Sequence, residues 1–258
     1  MSLVHSNKII SLCTDFGTKD HRLASLKKEI YRYNNNIILL DISHDINPFD
    51  LVETAFHLSN VLNNFPLNQI HVAWVFNACE DEGILLALFK EQFIIMPNNG
   101  LLGLILNNES PEKVYRISDD AFEYKERIGS TIQHILNNEN LDEMYEELND
   151  PIRKISVQPV YQKDRIQARV IYIDRFGNLV FNINKAAFEN VCHGRKFSFT
   201  TQTQQVISNF SLNEFAMENG SFNIYFTESD HMILALGGSN AAKTLDIKND
   251  DTLQIIFE

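Results

Sequence analysis

Apolar and polar positions alternate in blocks along the first half of the chain. Ile9, Ile10 and Leu12 form a short apolar run that ends in "TDFGTKD", and from Asp20 onward Leu23, Leu26 and Ile30 recur at helical spacing. This predicts a buried strand, a sharp exit at Gly17, and a helix over 20–33 with Asp20 as its N-cap. The continuous apolar run at 37–40 suits a strand buried on both faces of a parallel sheet, and it ends in a second carboxylate, Asp41. Asn47 and Pro48 are placed to cap and open a helix whose face is Val52, Ala55, Phe56, Ser59 and Leu62. "QIHVAWVF" at 69–76 reads as a third strand, "GILLALF" and "QFIIM" as two more in a hairpin, "PNNG" at 97–100 as a turn, and 129–147 as helical.

The pattern changes between 150 and 165, where "NDPIRKISVQPVYQKD" carries prolines, mixed charge and no sustained period. Beyond it the segments are short and β-rich: "ARVIYID", "LVFNI", "KFSFT", "FNIYFT", "MILAL" and "LQIIFE". The expected architecture is an N-terminal α/β domain over 1–155 with a largely parallel sheet, followed by a smaller, barrel-like β domain over 160–258.

Composition narrows the partners. A formal charge of -12 and a pI near 5.1 disfavour a nucleic-acid backbone or an anionic membrane surface. Cys13, Cys79 and Cys192 are far apart and form no C-x-x-C pair, so they read as small buried hydrophobes and not as disulfide or zinc ligands. The histidines, His44, His57 and His71 among them, show no metal-ligand spacing and read as structural, so no metal is expected. No charged-then-apolar leader and no apolar stretch of the roughly 18 residues that span a bilayer is present, which predicts a cytoplasmic protein.

The chemistry-bearing residues lie at strand ends. Asp15 falls between a strand and a helix, at the edge where open α/β sheets take ligands. On local grounds alone, Asp15 and Asp20 are also ordinary turn and cap residues. Phe49 and Phe176 read equally as core, and Asn178 and Asn182 as turn residues at a β-bulge.

Six segments, in order, resemble the S-adenosylmethionine hydroxide adenosyltransferase family, which is related to the fluorinases and chlorinases. They are "TDFGTKD", "LLDISHDINPFDLVETA", "FPLNQIHVAWV", "PNNGLL", "IDRFGNLVFNI" and "GGSNAAKTL". The resemblance implies a homotrimer whose sites lie between the N-terminal domain of one subunit and the C-terminal domain of the next. There a nucleophile attacks the ribose C5′ of S-adenosylmethionine, which is substrate or ligand, with no separate cofactor. By motif match, Asp15 holds the ribose hydroxyls, Phe49 lies near the ribose and sulfonium, and Asp174 takes the methionine ammonium. Phe176, Asn178 and the backbone near Ala241 match adenine contacts, and Ser229 the methionine carboxylate. Asp20, which closes the opening motif, and Phe122 are counted with the binding residues.

The resemblance fails at the water-activating residues. Water must lose a proton to a positioned base as it attacks, whereas neutral methionine leaves without an acid. Phe76 stands at the family's Asp, Gly83 at its Arg and Glu123 at its His. Three readings follow: a hydrolase in which Glu80, Asp81, Glu82 or Glu123 serves as the base; a binding or regulatory module without chemistry; and, third, halide-dependent transfer, which needs no base but is opposed by the neighbouring carboxylates.

Overall fold

The computed structural model describes residues 8–75, 83–107, 109–118, 123–212, 218–227 and 229–258. The chain divides into two compact units, Met1–Ser156 and Val157–Glu258.

The first unit runs β1 (Lys8–Thr14), α1 (Arg22–Tyr33), β2 (Ile37–Ser43), α2 (Leu51–Leu62), β3 (Ile70–Trp74), β4 (Ile84–Phe89), β5 (Gln92–Pro97), α3 (Leu101–Leu106), β6 (Lys113–Ile117), α4 (Tyr124–Leu136), α5 (Leu141–Met144) and β7 (Glu146–Glu147). Its sheet has the order β2-β1-β3-β5-β4-β6-β7. The sheet is partly parallel: β2, β1, β3 and β5 run together, while β4, β6 and β7 pair antiparallel. The expected β4–β5 hairpin is present, with β5 also pairing in parallel with β3. One face is covered by α1 and α4 through Leu26, Ile30, Ile128 and Ile132, the other by α2 and α3 through Leu51, Leu58, Leu62 and Leu102. Each helix buries one apolar stripe on a face, giving three layers.

Four local expectations are corrected. The run at 37–40 is not buried on both faces: β2 is the edge strand, and Ile38 and Leu40 are exposed. An apolar run cannot by itself separate a central strand from an edge one. The first helix begins at Arg22 with His21 at the N-cap position, and Asp20 instead accepts the Arg22 N–H at 2.9 Å. The second begins at Leu51, not Pro48, because Phe49 adopts a left-handed backbone (φ 68) that no helix continues through. Its cap is therefore Asp50, which accepts the Glu53 N–H at 2.9 Å; Asn47 donates to the Glu53 carboxylate instead, and Val52 stays exposed. Helix 129–147 is replaced by α4 and the short α5, separated at Asn138, whose φ is 54.

The second unit contains β8 (Val160–Tyr161), β9 (Arg165–Ile173), β10 (Leu179–Asn184), α6 (Lys185–Cys192), β11 (Phe197–Thr200), β12 (Val206–Ile207), β13 (Phe210–Ser211), β14 (Phe222–Phe226), β15 (His231–Leu236), α7 (Ala241–Leu245) and β16 (Thr252–Phe257). The strands follow the order β12-β11-β16-β9-β10-β15-β14-β13, with β8 on β9. The long β9 serves both halves of this barrel-like sheet, since it pairs with β16 at one end and β10 at the other. Alternate residues point inward to a core with Phe181, Phe188, Phe197, Phe199 and Phe257 packed ring to ring.

Candidate functional site

Strand order reverses at β1: β2 lies on one side of it and β3 on the other. This is the topological switch point of the parallel segment, and ligands of open α/β sheets bind in the crevice beyond the carboxyl ends there. Asp15 follows the last residue of β1 and is half-buried. Gly17 takes φ 67, as the sharp exit requires, and its N–H donates to the His44 carbonyl at 2.7 Å.

Asp15 and Phe49 are brought together, since the Phe49 N–H donates to Asp15 Oδ2 at 3.1 Å. Phe49 is 61 % exposed, which excludes the core reading for this side chain. A bulky residue at positive φ is strained, and such strain gathers where a side chain is held for use. Burial, with the negative charges of Glu53 and Asp15, pushes the Cys13 thiol up to about 12, so this cysteine stays a neutral, unreactive group behind the loop. Beside the same sheet edge, Trp74 at the end of β3 stacks on Tyr124 at the head of α4, with ring centroids 4.5 Å apart and planes 9° from parallel. Burial and the charge of Glu123 raise the Tyr124 phenol above its usual range, against the opposing charge of Arg22.

In the second unit, Asp174, Phe176 and Asn178 form the turn between β9 and β10. Asp174 Oδ1 accepts the N–H groups of Phe176 (2.9 Å) and Asn178 (2.8 Å), and Oδ2 accepts from the Asn178 side-chain amide at 2.8 Å. The carboxylate thus holds its own turn, and one amide N–H of Asn178 is committed to it. Phe176 projects at the tip, 76 % exposed, so it too is no core residue. Gly177 at φ 83 lies against the Asn240 side chain, and its carbonyl accepts the Ala242 N–H at 2.9 Å, which seats the turn on the start of α7 where Ala241 is buried. Ser229 lies before β15, with its hydroxyl 3.0 Å from Thr227 Oγ1 and 2.9 Å from His231 Nδ1. Asn182 satisfies the backbone near the register shift of β10: it accepts from Arg169 N at 2.8 Å and donates to the Val157 carbonyl at 2.7 Å.

The sequence matches the SAM hydroxide adenosyltransferase N-terminal domain over residues 10–136 and the C-terminal domain over 168–254. The chain belongs to the SAM hydroxide adenosyltransferase family. Among curated relatives it is 24% identical to the (R)-S-adenosyl-L-methionine hydrolase of Methanocaldococcus jannaschii over 96% of both chains. It is 22% identical to a fluorinase of an Actinoplanes species over 72% of this chain and 74% of that one. Among solved structures, a conserved uncharacterized protein from Thermotoga maritima superposes with a TM-score of 0.84 at 18% identity, covering 96% of this chain and 99% of that one. A conserved hypothetical protein from Thermus thermophilus gives 0.76 at 16%, covering 96% and 100%. These two likenesses concern the fold.

Within this SAM hydroxide adenosyltransferase family member, Glu123 is exposed at the N-cap position of α4, and its side chain caps nothing. Glu80, Asp81, Glu82, Phe76 and Phe122 lie outside the described residues. Asp20 is exposed and spends one oxygen on the start of α1. Sequence reasoning missed Thr14, Asp41 and Thr227 as partners of site residues and read His44 only as structural. A His three residues after a strand-end Asp, in "DISH", is the signal that was available.

Proposed function

We propose that the chain takes S-adenosylmethionine by its adenosyl group and hydrolyses it to adenosine and methionine, the reaction inherited with the family. The observation that carries this reading is Asp15 at the switch point, bonded to the N–H of an exposed, left-handed Phe49. An ionised carboxylate only accepts hydrogen bonds, which suits two ribose hydroxyls side by side. An exposed aromatic face suits a sulfonium cation. In this reading Phe176, Asn178 and the Ala241 backbone take the adenine, Asp174 the ammonium and Ser229 the carboxylate, with Asp20 and Phe122 adding to the pocket. The two half-sites belong to neighbouring subunits of a cytoplasmic homotrimer, and no separate cofactor takes part.

The chemistry is a displacement at C5′. The water oxygen forms the new C–O bond as the C5′–S bond breaks, its electron pair passing to sulfur to give neutral methionine, and the water proton passes to a base. Glu123 is our first candidate for that base among the described residues, since it is exposed and its side chain does not cap α4; Glu80 and Asp81 are the others. A second reading, ligand binding without turnover, is favoured by one observation: Phe76, Gly83 and Glu123 stand where the family's Asp, Arg and His are expected.

The test is mass spectrometry of small molecules after incubation with S-adenosylmethionine, with and without chloride. Adenosine in both samples supports hydrolysis. 5′-Chloroadenosine appearing only with chloride replaces it with halide transfer, and intact substrate with measurable binding establishes the second reading.

A further inference from the structure

Beneath the Asp15 loop lies a chain of side chains to which the proposed function gives no role. Lys27 Nζ is 2.7 Å from Asp41 Oδ2, and His44 Nε2 is 3.0 Å from Asp41 Oδ1. That second contact is a bent one: the distance is short, but the N–H does not point squarely at the oxygen. On the other side of the ring, His44 Nδ1 is 2.9 Å from Thr14 Oγ1, which in turn accepts the Phe16 N–H at 3.3 Å. Thr14 is fully buried and His44 is 6% exposed, so neither reaches a ligand.

We infer that Thr14, His44 and Asp41 are positioning residues that hold the Asp15 carboxylate for two adjacent hydroxyls, and that they set the preference for a ribose over a deoxyribose ligand. The inference rests on the reading of Asp15 given above. An ionised Asp41 only accepts, so in the neutral ring Nε2 carries the hydrogen and Nδ1 accepts from the Thr14 hydroxyl. Two donors then point the same way, Phe16 N–H to Thr14 and Thr14 O–H to His44, while Asp41 stands 3.0 Å from Nε2 as a charge contact off the hydrogen-bond line. The negative charge of Asp41 beside Nε2 favours the tautomer that leaves Nδ1 free to accept from Thr14. Burial acts to raise the Asp41 carboxyl, but the bonds from His44 and Lys27 outweigh it and hold the group below its usual range.

His44 also grips the loop by its backbone, accepting the Gly17 N–H at 2.7 Å. Asp15 is therefore flanked on both sides by residues tied to His44: Thr14 through its side chain, Gly17 through its backbone. A carboxylate held this closely can meet two hydroxyl protons at once, whereas a loosened one keeps one bond and loses the second.

The test is calorimetric titration of the full chain with adenosine and with 2′-deoxyadenosine. Wild type should prefer adenosine. Thr14→Val, which keeps shape but removes the hydroxyl, should lose about tenfold of that preference while its affinity for 2′-deoxyadenosine stays within about twofold. Thr14→Ser should restore it. Asp41→Asn, at a half-exposed position, should act like Thr14→Val because an amide facing Nε2 can reverse the tautomer, and it carries the test if the valine variant does not fold. A preference unchanged in Thr14→Val and Asp41→Asn overturns the positioning role alone. So does an equal loss for both ligands, which is what general loosening of the fold produces. Wild type that binds neither ligand overturns the assignment of Asp15 and the inference with it.

Discussion

The two candidate aspartates, one in each unit, are held in opposite ways. Asp174 is secured by its own neighbours, since each of the three bonds described comes from within four residues of it. Asp15 sits in a loop secured from far along the chain: Phe49 is 34 residues away, and the Thr14–His44 bond spans 30. The histidines repeat the contrast. His231 bonds Ser229, two residues off, whereas His71 joins Ser11 at 2.6 Å across 60 residues and Gln92, also at 2.6 Å, across 21. A local turn is formed by short-range hydrogen bonds at small loop-closure cost, while the Asp15 loop exists only after β1, β2 and α2 have docked. The difference teaches that the Asp174 turn is close to a sequence motif and the Asp15 loop is a product of the sheet.

The strongest way to break this comparison is at Gly177. An alanine there is strained at φ 83 and drives its Cβ into Asn240, the residue that caps α7 through Lys243 N at 2.7 Å. Gly177→Ala should cost roughly 2–4 kcal/mol from backbone strain and a lost cap, read as a lowered urea midpoint and as loss of amide protection in the second unit alone. An effect that spread equally to the first unit would contradict the local character of this turn.

A smaller effect separates the aspartates directly. Asp174→Ala removes the acceptor of three bonds and should destabilise its unit by about 1–2 kcal/mol, partial exposure included, and weaken ligand binding with it. Asp15→Ala should cost less stability while abolishing the adenosine-over-deoxyadenosine preference. If both variants lose binding at equal cost in stability, the two carboxylates do not differ as described.

The smallest effect is a pH dependence. Burial depresses the His71 imidazole below its ordinary 6.5 against the opposing bond with Gln92, and burial likewise depresses His231 against its contact with Ser229 and the charge of Asp230. A base whose folded pKa is lowered binds its proton more readily when unfolded. Its stabilising contribution is therefore complete above pH 6.5 and declines as pH falls from there through the lowered folded value. The slope is at most about 1.4 kcal/mol per pH unit for each histidine. Urea titrations at pH 7.5 and 5.5 should show this loss, and hydrogen exchange should show it in both units. The carboxyls of Asp41 and Glu53, whose pKa values are lowered from 3.8 and 4.5, keep their full contribution across this range and lose it only as pH falls below those values. A flat profile across this range would exclude a neutral His71 between Ser11 and Gln92.

Much of the fold is legible in the apolar periodicity. The strands that become β1, β3, β4 and β5 are predominantly apolar runs, broken only by Ser11 in β1 and His71 in β3, α1 shows Leu26 and Ile30 on one face, and the change of pattern near 150–165 precedes the β-rich second unit. Turn chemistry is legible as well: "DRFGN" contains the acceptor, the left-handed glycine and the amide donor of its own hairpin. What periodicity does not carry is lateral position in a sheet. Ile38 and Leu40 have the composition of a buried strand and lie on an edge because the chain closes its parallel segment there. Nor does it carry backbone strain, and Phe49 shifts the start of α2 from Pro48 to Leu51 by adopting a conformation no propensity favours.

The sequence by itself determined the element types, the division into an α/β and a β-rich part, the family, and the residues of the Asp174 turn. These follow from periodicity, composition and contacts between near neighbours, all of which are written along one dimension. Tertiary structure alone decided that Asp15 stands at a strand-order reversal, that Phe49 is exposed and bonded to it, and that Thr14 meets His44 beneath the loop. The physical reason is that these partners meet only through sheet pairing. A hydrogen bond between residues some 30 positions apart leaves no local trace in the sequence, however strongly it fixes the site.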